Sequence, residues 1–133
     1  MKITLCGSMA FAKEMLDIKK RLENLGQFVV VPMNTDKYAN GEINVENKWE
    51  KAEHDVIRLY FEEIKKADAI LVINKDKNKI KNYIGGNSLI EIAFAYILNK
   101  KVFLLNPLPQ INYSNEIEAM NPIILNGDLS RIK

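Results

Sequence analysis

Residues 67–106 read ADAILVINKDKNKIKNYIGGNSLIEIAFAYILNKKVFLLN. Two apolar runs, Ala69–Ile73 and Val102–Leu105, stand at either end without two-residue alternation. Strands of that kind are buried on both faces and belong inside a parallel sheet. Parallel neighbours need a crossover, and Ser88–Asn99 supplies one: a helix apolar almost all round. Between the first run and that helix, Lys75–Gly86 reads as a solvated lysine- and asparagine-rich loop closing in Gly85-Gly86.

The alternation continues in both directions. Ile3–Cys6 is a strand ending at the turn Gly7-Ser8. Phe11–Leu25 follows with Phe11, Met15, Ile18, Leu22 and Leu25 at helical spacing, and Gly26 closes it. Gln27–Val31 is a β-branched strand stopped by Pro32. Met33–Glu46 is polar, contains Asn40-Gly41 and predicts a surface loop. Val45–Ala67 predicts one long helix, buried along Val56, Ile57, Tyr60, Phe61 and Ile64, with His54, Arg58, Glu62 and Lys65 on its wet side. Beyond Asn106, a short helix Ser114–Met120, a strand Ile123–Leu125 and a turn at Asp128–Arg131 complete the chain. This pattern predicts a three-layer α/β/α fold. Its five-stranded parallel sheet should run in the order 2-1-3-4-5, as in flavodoxin- and Rossmann-like sheets. Ligands of such sheets sit beyond the carboxyl ends of the strands, where the order reverses. Here those ends are Gly7-Ser8, Asn74 with its loop, and Asn106.

Composition narrows the function classes. A chain of 133 residues, 47% hydrophobic and 27% charged, predicts one globular domain over 1–133. A formal charge of +2 is too mild to imply a nucleic-acid or membrane partner. The only cysteine, Cys6, and the only histidine, His54, exclude an intrachain disulfide, a structural zinc cluster and multi-histidine metal sites. No metal site is expected. The longest apolar run, Leu89–Leu98, contains Glu91 and falls short of the ~20 residues a bilayer span needs. The first residues lead straight into a strand with no cleavable segment, so a cytoplasmic protein is the expectation.

Glu91 is the foremost chemical candidate. It is the only charge in its helix, is expected in the first turn, and points at the ligand edge of the sheet. A carboxylate near a helix start stays ionised readily and can attack an electrophilic carbon. Ser88-Leu89-Ile90-Glu91 equally matches a capping box, in which Glu91 folds back to the Ser88 amide. Gly85-Gly86-Asn87-Ser88 before the helix, and Gly7-Ser8 after the first strand, can present backbone amides to an anion. Either can instead be a plain turn. Lys75, Lys77, Lys79 and Lys81 flank the same edge as phosphate attractors or as a mobile wet loop. His54 with Asp55 can move protons or simply face solvent. Cys6 reads as core, Asp68 lies at the wrong end of its strand, and Tyr38 and Trp49 can stack on a base or pack.

Taken together, the strand ending in Gly-Ser, the glycine-rich loop and the run EIAFAYILNKKVFLLNP resemble the nucleoside 2-deoxyribosyltransferase family, including its branch of 2′-deoxynucleoside 5′-monophosphate N-glycosidases. The likeness is clearest over Ile64–Asn106. It implies that Glu91 is the nucleophile, forming a glycosyl-enzyme ester at the anomeric carbon through an oxocarbenium-like transition state. It also implies that no cofactor is used, that Gly7 and Ser8 help hold a 5′-phosphate, and that Asn74, Gly85, Gly86, Asn87 and Ser88 contribute to substrate binding. The partners implied are a nucleoside or nucleotide and further copies of the chain in a homodimer or larger homo-oligomer, with Asn115 and Asn121 as candidates for completing a neighbour's site. Two departures stand out. The helix aspartate of the family falls on Tyr60, with Asp55 further up the helix as a substitute, and an acidic residue six positions before the nucleophile is replaced by Gly85. The glycine pair of the monophosphate branch is Met9-Ala10-Phe11 here. The expected activity is N-glycosidic cleavage of a (deoxy)nucleoside or its 5′-monophosphate. Base exchange and a catalytically inactive nucleotide-binding module are the alternatives. A redox domain is disfavoured, since no dinucleotide fingerprint is present.

Overall fold

The computed structural model describes residues 1–44 and 55–133. In chain order these form β1 (Lys2–Cys6), a 3-10 turn (Met9–Phe11), α1 (Ala12–Asn24), β2 (Phe28–Val30), α2 (Thr35–Ala39), α3 (Val56–Lys66), β3 (Ala69–Val72), α4 (Gly86–Ile97), β4 (Lys101–Leu104), α5 (Ser114–Ala119), β5 (Ile123–Ile124) and a last 3-10 turn (Leu129–Arg131). The strands pair in the order β2-β1-β3-β4-β5 and every pairing is parallel. This is the expected three-layer α/β/α architecture.

Strand residues alternate between the two faces, and the core divides accordingly. Ile3, Leu5, Leu71, Ile73 and Phe103 pack on Met15, Ile18 and Leu22 of α1, with Leu125 and Leu129 from the C-terminal segment. On the opposite face Cys6, Ile70, Val72, Val102 and Leu104 meet Tyr60 and Ile64 of α3, Ile92 and Ala95 of α4, and Ile117 of α5. β3 is buried along its whole length, which explains its unbroken apolar run. Thr4, on the Cys6 side of β1, is fully buried, and its hydroxyl has no hydrogen-bond partner among the described residues.

Three local expectations need correction. The segment after Pro32 is not loop alone. Asn34 turns into the left-handed region (φ 65°), the Thr35 hydroxyl donates to the Pro32 carbonyl at 2.5 Å, and the short helix α2 follows, burying Tyr38. The crossover helix begins at Gly86, two residues ahead of Ser88, because Gly85 is still extended (φ −85°, ψ 178°) and serves as its cap. The lysine-rich segment is a folded turn rather than a loose loop. Lys77 and Ile80 exchange backbone hydrogen bonds of 3.1 and 2.9 Å across Asn78 and Lys79, both at positive φ, as in a type I′ turn. The Asn82 amide donates to Asp76 at 3.0 Å, and the Tyr83 amide to the Lys75 carbonyl at 2.9 Å. The long helix expected over Val45–Ala67 is seen from Val56 onward; its earlier part, with Trp49 and His54, lies outside the described residues. Among the described residues no helix is long and apolar enough to cross a membrane.

Candidate active site

At the carboxyl ends of β1 and β3, where the sheet order reverses, the chain encloses a cavity of about 410 Å³. That lies within the ~300–1,000 Å³ usual for small-ligand sites. Its polar lining is Gly7 and Ser8 from the β1 turn and Gly85, Gly86, Asn87 and Ser88 from the start of α4. Its apolar lining is Met9, Pro32, Met33, Tyr38, Val56, Ile57 and Ile90. Tyr60, Tyr83 and Glu91 complete the wall.

Glu91 stands in the second turn of α4, not the first, since the helix starts at Gly86. Ser88 therefore lies inside the helix, buried, and no side chain caps the start. This removes the capping-box reading. Glu91 instead lines the cavity, with its carboxylate close enough to Cys6 to act on the thiol. Burial pushes the Cys6 thiol well above its ordinary range, and the neighbouring carboxylate pushes it further. Cys6 is thus a neutral, fully buried thiol next to Glu91. Its core location was legible in the sequence; its contact with Glu91 was not.

Tyr60 is buried as well and donates its hydroxyl to the Leu5 carbonyl. Burial raises its phenol well above the usual value, with Cys6, Glu91 and Glu63 adding to the effect. Its proton is held by the backbone, so Tyr60 serves as a wall and an acceptor rather than as an acid. Asp55 precedes α3 with φ 47°, is exposed, and pairs with Arg58 at 3.4 Å. It adjoins the cavity residues Val56 and Ile57 but is not itself in the wall.

Asn74 is not in the wall either. Its amide donates to the carbonyls of Asn106 and Pro107 at 2.8 and 3.0 Å, and its oxygen accepts from the Asn106 amide at 2.9 Å. Asn106 returns a bond of 3.0 Å to the Asn74 carbonyl. The buried Asn74 clasps the ends of β3 and β4 together, which leaves its side chain nothing to offer a ligand. Asn115 and Asn121 are exposed around α5 and do not line the cavity. Of the four lysines near this edge, Lys75, Lys79 and Lys81 are exposed. Lys77 is half-buried, with its ammonium donating to Ser8 Oγ at 2.8 Å and lying 5.3 Å from the centre of the Tyr83 ring. No three His, Cys, Asp or Glu side chains among the described residues converge as metal ligands.

Compared with known proteins, the chain matches no protein-family model, no curated protein and no solved structure.

Proposed function

We propose that this chain cleaves the N-glycosidic bond of a (deoxy)nucleoside or its 5′-monophosphate, with Glu91 as nucleophile. The observation that carries this reading is a carboxylate in the wall of a ligand-sized cavity at the switch point, set between hydrogen-bond donors and an apolar surface. The apolar lining residues suit a flat base and the polar ones suit a sugar and its substituents. The likeness of EIAFAY and GGNS to nucleoside 2-deoxyribosyltransferases points the same way.

In this mechanism a Glu91 oxygen attacks the anomeric carbon as the carbon–nitrogen bond breaks. The bonding pair leaves with the base, which takes its proton from water. The Cys6 thiol stays neutral beside the carboxylate, and Tyr60 is tied to the Leu5 carbonyl. Water then opens the ester and frees the sugar; a second base in place of water makes the reaction an exchange. Assembly into a homodimer or larger homo-oligomer belongs to the same proposal, supported by exposed Leu59, Tyr96 and Ile97 on α3 and α4.

Incubation with a panel of nucleosides and 5′-monophosphates, followed by chromatography, tests the reaction. Free base is expected from at least one of them, and Glu91→Gln is expected to lower the rate by about a thousandfold or more. Release of base at an undiminished rate by Glu91→Gln sinks the mechanism. A second reading, a nucleotide-binding module without turnover, is favoured by the engaged Tyr60 hydroxyl and by the absence of a second carboxylate from the described wall. It predicts binding without base release, and equal binding by Glu91→Gln.

A further inference from the structure

We propose that Tyr113, which lies outside the cavity wall, sets where α4 begins and so keeps the Glu91 carboxylate available to the cavity. It is a positioning residue. Its effect on rate rests on the reading of Glu91 as nucleophile; its effect on the helix does not.

Local chemistry favours a different start for α4. The observed start at Gly86 has no side-chain cap, with the extended Gly85 ahead of it. Glycine is a poor helix former, and an uncapped start leaves its first amides without partners. Two residues further on, Ser88-Leu89-Ile90-Glu91 offers a capping box. There the Ser88 hydroxyl would accept from the Glu91 amide, and the Glu91 carboxylate from the Ser88 amide. With Ser88 as the cap, that carboxylate is spent on the backbone. The chain nevertheless adopts the locally weaker start, so a contact from outside the helix holds it.

Tyr113 supplies that contact. Its hydroxyl donates to the Ile84 carbonyl, 29 residues away in the chain. Ile84 is buried and immediately precedes Gly85, whose carbonyl accepts from the Leu89 amide at 3.0 Å and opens the α4 ladder. Pinning the Ile84 peptide fixes the direction in which the chain enters Gly85. The donor is itself held. Asn74 ties the carbonyls of Asn106 and Pro107, where the segment leaves β4. Ser114 Oγ accepts from the Ile111 amide at 2.9 Å and donates to the Pro109 carbonyl. Ile117 of α5 is fully buried. Burial and the nearby Tyr83 raise the Tyr113 phenol above its ordinary value of 10.0, so the donated proton is in place at neutral pH.

Amide exchange of the full chain without ligand, read by nuclear magnetic resonance, tests the inference. A start at Gly86 pairs the Leu89 and Ile90 amides with the carbonyls four residues back; a helix capped by Ser88 loses both bonds and keeps those from Ile92 onward. Tyr113→Phe keeps the ring and removes the donor. It should speed exchange at Leu89 and Ile90 about fivefold to tenfold, the effect of one hydrogen bond, and leave Ile92 to Ile97 unchanged. In a Ser88→Ala background, which lacks the alternative cap, the same substitution should have clearly less effect. Base release at saturating substrate should fall about threefold to tenfold in Tyr113→Phe, as the fraction with Glu91 folded back grows. Urea midpoints check that each variant is folded. Unchanged exchange at Leu89 and Ile90, uniform acceleration along all of α4, or an equal effect in the Ser88→Ala background overturns the inference. So does an undiminished saturating rate in Tyr113→Phe when the unmutated chain releases base. The two readings fail separately. Localised acceleration with no base release by the unmutated chain removes the reaction and leaves Tyr113 as the residue that sets the helix start. Glu91-dependent base release with undisturbed exchange in Tyr113→Phe does the reverse.

Discussion

With burial and the Glu91 carboxylate both holding the Cys6 thiol protonated, iodoacetamide at pH 8 should leave Cys6 unmodified in the folded protein and label it fully once urea unfolds the chain. Mass spectrometry reads both states, and rapid labelling of the native protein contradicts the buried contact. Among single residues, Glu91 was legible in the sequence because a lone charge in an apolar helix demands an explanation. The surroundings of Cys6 were not, and Lys77 was not told apart from the three lysines beside it; the reason is physical. A thiol in a strand has the composition of core, and a lysine among lysines has the composition of solvent-facing loop. What sets them apart is the proximity of Cys6 to Glu91 and the bond from Lys77 to Ser8, which local pattern does not encode. Asn74 misled in the opposite sense. A polar residue at a strand's carboxyl end suggests a ligand, yet its side chain is spent on the Asn106 backbone.

At the scale of elements, the turn leaving β1 is the most constrained. Gly7 has φ 154°, and a Cβ there would stand 2.9 Å from Met15 Cε and 3.1 Å from the Ile73 carbonyl oxygen. Gly7→Ala should destabilise by about 1–3 kcal/mol, a cost in keeping with backbone strain and overpacking. It should also lower base release, because Ser8 moves with the turn. Urea unfolding and the chromatographic assay measure the two effects, and a variant unchanged in both shows that the turn tolerates a side chain. Strand positions were readable to within a residue or two from β-branched and apolar runs. Helix starts were harder. The pattern S-x-x-E drew the start of α4 to Ser88, whereas the extended Gly85 lets the helix begin at Gly86 and turns Glu91 into the cavity. The helix α2 escaped notice because it depends on a left-handed Asn34 and on the Thr35–Pro32 bond, neither of which has periodicity.

For the molecule as a whole, the strand order and the division of the core followed from the alternation of elements, since handed crossovers leave few ways to stack them. Global stability carries a pH signature. The fold holds Cys6 and Tyr60 neutral, while both ionise at their ordinary values in the unfolded chain. Their contribution is intact below the ordinary thiol value of 9.0 and is lost as pH rises past it, first through Cys6 and then, above 10.0, through Tyr60 as well. Each group removes up to about 1.4 kcal/mol per pH unit in its window. Urea midpoints between pH 7.5 and 10.5 should fall accordingly, and Cys6→Ser should flatten the first part of the fall. A flat profile for the unmutated protein argues against these buried neutral groups.

The cavity wall is assembled from the end of β1, the entry to α2, the start of α3 and the start of α4, segments that meet only when the sheet has closed. Occupancy and global folding are therefore thermodynamically linked. A ligand present at a hundred times its dissociation constant should raise the unfolding free energy by about 2.7 kcal/mol. Amide exchange should slow with it along the whole of β1 and β3, beyond the few residues that adjoin the ligand, so that recognition is written into the opening rate of the central strands.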